Sequence, residues 1–221
     1  MKRTLMCCVA VLVVCMAANA APVMCSNGLV SLSAGSNAYS ITCGGLTFSN
    51  FLVTNLSGQN GGHVDINNVS FDASTGEVTL DENPNLGSGG HVNLLFTVTG
   101  PLDGIDLAVG GVLSTVIEKA CANPIPTVGV LANQCTNAGQ TVSAPPLGSL
   151  VVHSGDPNQP ISTSFSPVST AYLYKDIAAA VGGGLSAMDE SFHSAVPEPA
   201  SVLLLGSALL GLGLIRRRRA S

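Results

Sequence analysis

Side chains that could do chemistry are few in this chain of 221 residues. Histidine occurs four times, as His63, His91, His153 and His193. In His63-Val64-Asp65 a histidine and a carboxylate stand two residues apart, which on a strand puts both on one face. A metal pair or an acid–base pair needs that arrangement, but a solvated strand face also produces it, and that is the reading taken. Asp81-Glu82-Asn83 and Asp103-Gly104-Ile105-Asp106 gather oxygen ligands in what read as turns. Calcium takes carboxylate and carbonyl oxygens, yet neither segment has the spaced loop that a dedicated calcium site uses. Acidic turns without a cofactor are expected there. No H-E-x-x-H, G-x-S-x-G or phosphate-cradling glycine loop occurs, and Gly184-Leu185-Ser186-Ala187-Met188 lacks the second glycine of a nucleophile elbow. No catalytic, cofactor-binding or metal residue is therefore assigned, and enzyme activity is not expected.

The elements that hold these residues read as short strands. Candidates are Tyr39–Cys43, Leu46–Thr54, His63–Phe71, Glu77–Leu80, His91–Thr99, Gly104–Val109, Leu147–His153 and Val168–Ala178. They are rich in β-branched and aromatic residues and are broken by Gly44-Gly45, Asn60-Gly61-Gly62, Gly87-Ser88-Gly89-Gly90 and Gly110-Gly111. Strands at this spacing, without amphipathic helices between them, predict an all-β antiparallel sandwich over residues 21–181. Val112–Ala120 fits a short helix or a strand. Thr136–Ser149, with Pro145-Pro146, reads as loop. Gly182-Gly183-Gly184 opens a linker over 182–195, although Leu185–His193 could pack as a last element.

Charge separates this middle region from the two ends. Between residues 21 and 195 there are twelve carboxylates, two lysines (Lys119 and Lys175) and no arginine. Phosphate recognition needs clustered Lys and Arg, so nucleic acid is excluded as a partner. Residues 1–20 read as a secretory signal peptide: Lys2 and Arg3, an apolar run from Leu5 to Met16, then Ala18-Asn19-Ala20, with cleavage between Ala20 and Ala21. At the other end, 200–215 is an unbroken apolar and small-residue run, predicted as one transmembrane helix of ~24 Å. That is short for a ~30 Å hydrocarbon core unless flanking charges snorkel. Arg216, Arg217, Arg218 and Arg219 follow it and mark the cytoplasmic side. The middle region is then carried across the inner membrane by the secretion translocon, with the membrane itself a transient partner.

Of seven cysteines, Cys7, Cys8 and Cys15 lie in the signal peptide. Cys25, Cys43, Cys121 and Cys135 remain, an even number in an oxidising compartment, which points to two disulfides. Three pairings are open. The sequence-local pairs, Cys25–Cys43 and Cys121–Cys135, are favoured. No C-x-x-C is present and no cysteine has a histidine close in sequence, which argues against zinc.

Val196-Pro197-Glu198-Pro199, a short apolar helix and Arg216–Arg219 occur in that order, and together they resemble the PEP-CTERM sorting signal. The resemblance implies processing at or near the Pro-Glu-Pro by exosortase, a membrane-embedded transpeptidase, in bacteria that make extracellular polysaccharide and biofilm. The middle region is also similar to a group of exported PEP-CTERM proteins. The shared residues are Cys25, the run Cys43-Gly44-Gly45-Leu46-Thr47-Phe48-Ser49-Asn50-Phe51, and Lys175-Asp176-Ile177. That similarity implies no biochemical activity, and Phe48 and Phe51 read as core. The expectation is a membrane-anchored precursor that becomes a cell-surface or extracellular protein, structural or adhesive in the envelope or biofilm. The alternative is a carbohydrate-binding module for exopolysaccharide. Sugar platforms favour Trp and Tyr, and the chain has no Trp and three Tyr.

Overall fold

The computed structural model describes residues 22–26, 28–59, 63–130, 132–139 and 141–194. The Ala20–Ala21 junction, Val196–Pro199, the 200–215 run and Arg216–Arg219 lie outside the described residues. Among the described residues ten strands follow in order: β1 Val23–Ser26, β2 Val30–Ser33, β3 Gly35–Asn37, β4 Ile41–Cys43, β5 Leu46–Gln59, β6 His63–Asp72, β7 Glu77–Asn83, β8 Leu86–Cys121, β9 Gly148–His153 and β10 Ile161–Ser194. Every pairing between them is antiparallel. The all-β antiparallel architecture expected from the strand spacing is the one observed.

β8 and β10, of 36 and 34 residues, are too long for one pass across a domain of this size. Each is bent twice, and their pairing partners change at the bends. Residues 91–99 of β8 pair with β5 and with 170–178 of β10. Residues 102–110 pair instead with 161–168 and 187–194 of β10, and 114–121 return to pair with 172–179. The continuous sheet thus folds over into two layers. One layer runs β3 and β4, β5, β8 91–99, β10 170–179, β8 112–121 and β9. The other runs β1 and β2, β6, β7, β10 184–194, β8 102–110 and β10 161–164.

The bends sit where the sequence permits them. Strands that change layers turn the corner at bulges or at residues free of a side chain. β8 turns at Gly100, with φ 136°, and at Gly111, with φ 145°. A Cβ on Gly100 would stand 2.6 Å from the Gly45 carbonyl oxygen. β10 turns around Pro167 and again at Gly182. Val112–Ala120 is strand, the last pass of β8.

The 182–195 segment does not behave as the expected linker. Through Ser194 it is the end of β10, hydrogen-bonded between β7 and β8 in the second layer. Leu185, Met188 and Phe192 are buried in the core. The apolar side chains of this stretch need a partner, and the facing layer supplies it. Phe192 sits edge-on to Phe48 at 4.9 Å between ring centroids and to Phe96 at 6.1 Å. Phe51 stacks on Phe96 at 5.1 Å. Phe48 and Phe51 are both fully buried core residues.

Two disulfides close the margins. Cys25 of β1 is joined to Cys43 of β4, with 5.6 Å between Cα atoms, which ties an edge strand of one layer to an edge strand of the other. Cys121, the last residue of β8, is joined to Cys135 in the following loop, with 5.2 Å between Cα atoms. Loops of this length make each bridge worth about 3 kcal/mol through the unfolded chain.

If residues 184–194 are core, truncating Phe192 should be expensive. Phe192→Ala is expected to lower unfolding free energy by about 3–5 kcal/mol in chemical denaturation. A value near zero would return this segment to the status of a tether.

Candidate functional site

Strand alternation separates the residues that the sequence groups together. Asp81, Glu82 and Asn83 lie in β7 rather than in a turn. Asp81 and Glu82 therefore point to opposite faces. Glu82 is fully buried between the layers. Asp81 lies on the outer face, accepts a 3.0 Å hydrogen bond from Asn67 Nδ2, and stands in register with Asp189. Burial, and then the charge of Asp81, raises the Asp189 carboxyl above its ordinary range. Asp103 and Asp106 also lie in a strand, β8, rather than in a turn.

The interior holds a charged cluster that local sequence does not announce. Lys175 and Glu118 project from the first layer, Glu82 and Glu190 from the second, and all four are fully buried. Lys175 Nζ donates to Glu82 Oε2 and is ion-paired with Glu190 Oε2. It also lies 5.5 Å from the centroid of the Phe96 ring. One ammonium cannot balance three carboxylates, so protons are retained. Burial pushes the Glu82 carboxyl up to about 7, against the pull of Lys175. Burial raises Glu118 and, together with the charge of Glu118, raises Glu190 well above the usual carboxylate range. Burial alone would lower Lys175; the carboxylates of Glu190, Glu82 and Glu118 outweigh it and hold the ammonium above its ordinary value. Removing one partner from such a buried group costs about 3–5 kcal/mol, whereas replacing the whole set by apolar residues need not. None of the four side chains is open to solvent.

The histidines lie on outer faces or margins. His63 Nε2 is 3.3 Å from Asp65 Oδ2, so the two share a face, as their spacing requires. Asp65 also accepts a hydrogen bond of 2.5 Å from Ser31 Oγ. His91 Nε2 lies 2.6 Å from Asp176 Oδ1, and His153 Nδ1 lies 2.9 Å from Thr115 Oγ1.

The densest grouping is on the outer face of the second layer. His193 of β10 stands in register between Glu77 of β7 and Gly104 of β8. Its Nε2 lies 2.7 Å from Asp106 Oδ2 and 3.8 Å from Glu77 Oε1. Donor atoms of Glu77, Asp106 and His193 all fall within 4.8 Å of one another. A cavity of about 350 Å³ opens beside them, lined by Asp103, Asp106, His193, Ser162, Ser164 and Phe165. No sequence motif marks this trio, because its members come from three strands far apart in the chain. On the first layer, the disulfide-tied loop lays Pro124, Ile125 and Thr127 over Leu52, Leu95 and Tyr172, leaving a smaller cavity of about 190 Å³.

β10 ends at Ser194, whose amide donates to the Gly76 carbonyl oxygen at 3.2 Å. Residues 195–219, beginning immediately after it, match the family of the PEP-CTERM protein-sorting motif. The chain carries a PEP-CTERM sorting signal. A PEP-CTERM chain is exported as a membrane-anchored precursor and processed by exosortase. Val196–Pro199 and Arg216–Arg219, read as the recognition segment and the cytoplasmic stop, fall within the matched residues. No curated protein and no solved structure matches the chain.

The carboxyl cluster gives a pH signature with a definite sign. A group raised in the folded state keeps its proton on folding and releases it on unfolding. Its stabilisation is full below the unfolded value near 4.5 and is lost as pH rises through the folded value near 7 for Glu82. Unfolding free energy is therefore expected to fall as pH rises from 4.5 to 7, measured by denaturant titration. Glu82→Gln should flatten that slope.

Proposed function

We propose that this PEP-CTERM protein is a structural or adhesive component of the envelope or biofilm matrix, delivered there by exosortase and without catalytic activity. The observation that carries the reading is the junction between fold and signal: the last strand of a disulfide-closed sandwich runs straight into the sorting motif. Such a domain suits release as a durable unit into an oxidising exterior, because both long strands run through both layers and two disulfides tie its margins. Its final location is the cell surface or the extracellular matrix. Exopolysaccharide binding is the second reading. It is favoured by the Ser-rich, Asp-containing cavity beside His193, whose hydroxyl and carboxylate groups suit polyol hydrogen bonding.

Two measurements test these readings. Mass spectrometry of the mature protein should show a C-terminus at or near Val196–Pro199, with no peptide reaching Arg216. Intact peptides spanning Pro199 to Arg216 in surface material would sink the sorting route. Polysaccharide pull-down with the processed protein should give no saturable, sugar-specific retention; if it does, the binding-module reading replaces the structural one.

A further inference from the structure

The trio on the outer face of the second layer goes beyond this reading. We infer that Glu77, Asp106 and His193 hold a first-row divalent cation, with Zn2+ the best fit.

The geometry is close to that of a bound site. Zn–N and Zn–O bonds of about 2.0–2.2 Å in a tetrahedron place neighbouring donors ~3.4 Å apart. The two distances from His193 Nε2, 2.7 Å to Asp106 and 3.8 Å to Glu77, bracket that value. The shorter contact is a hydrogen bond between His193 and Asp106 that the ion would replace, and the three donor atoms, all within 4.8 Å of one another, would draw together around it. The three ligands sit on adjacent, mutually hydrogen-bonded strands, which hold ligand geometry better than loops do. Gly104 makes room for the imidazole: a Cβ there would lie 3.3 Å from His193 Cγ.

Charge supplies an independent reason. Glu77, Asp106 and Asp103 crowd one margin of a region with only two lysines. Lys175 is buried in the core, and Lys119 lies over the Tyr174 ring in the first layer. Neither lysine reaches this margin, so among the described residues its carboxylates face His193 and no Lys or Arg, and a bound cation would offset their charge.

Ligand chemistry selects the ion. Calcium takes oxygen ligands, and the imidazole nitrogen disfavours it. One nitrogen and two carboxylates suit zinc or manganese, and zinc follows manganese in the order of rising affinity. Three protein ligands leave a coordination position facing the cavity, where water completes the shell.

Calorimetric titration of the full chain in detergent with Zn2+ tests this, alongside the visible spectrum of the Co2+-loaded protein. Wild type should bind one equivalent of Zn2+, give the d–d bands of a low-coordinate Co2+ centre, and retain Zn2+ in excess Ca2+. Glu77→Gln and His193→Ala should each weaken Zn2+ binding by more than about tenfold. His153→Ala, on the first layer, should leave it unchanged. Glu77→Gln is the decisive variant if His193→Ala destabilises the fold, because Glu77 makes only the longer contact. Absence of Zn2+ binding by wild type, unchanged affinity in Glu77→Gln, loss of affinity in His153→Ala, or displacement of Zn2+ by Ca2+ would each overturn the assignment.

Discussion

Neither layer of this sandwich can form without the other, because β8 and β10 each run through both. Residues 91–99 and 112–121 of β8 flank 170–179 of β10 in one layer, while 102–110 lies beside 184–194 in the other. The long-range ladder between these two strands is the scaffold on which the remaining strands are arranged. Such a fold is rich in contacts between distant residues, and folding that depends on them is slow. The cooperativity that results also protects: opening one layer strips pairing partners from the other.

The polar features follow from that frame. At the centre, a lysine and three glutamates face each other across the layers and are kept neutral enough by retained protons. Burying them is not the strongest way to stabilise a core, but it restricts how the layers can meet, since any shift separates the ammonium from its carboxylates. On the outer face of the second layer, the same crossing places β7, the end of β10 and the middle of β8 side by side. That is what brings Glu77, His193 and Asp106 together.

Legibility in the sequence was uneven, for physical reasons. Strands such as 46–54 and 91–99 show their β-branched and aromatic content directly, and the all-β class follows from them. The crossings were hidden because Gly100, Gly111 and Gly182 resemble turns between separate strands, when the pairing continues around them. The 184–194 strand was concealed by its core-facing glutamate: in Met188-Asp189-Glu190-Ser191-Phe192 the inward positions are 188, 190 and 192. Glu190 breaks the apolar alternation, and Gly182-Gly183-Gly184 ahead of it reads as the start of a linker, although Leu185–His193 could still pack as a last element. Lys175, the partner of Glu190, stood out only within Lys175-Asp176-Ile177, a stretch shared with other exported PEP-CTERM proteins. A buried ion pair leaves no local mark when its members are 93 residues apart, as Lys175 and Glu82 are. The sorting signal, by contrast, is contiguous and was legible as it stands.

The position of Ser194 sets a clearance for processing. Two residues, Ala195 and Val196, separate it from Pro197, and a chain covers at most ~3.3–3.6 Å per residue, so Pro197 lies within ~11 Å of Ser194. Exosortase, which processes the motif, therefore acts close to the folded domain. The margin it meets there is the one carrying Glu77, Asp103 and His193, next to the Gly76 turn.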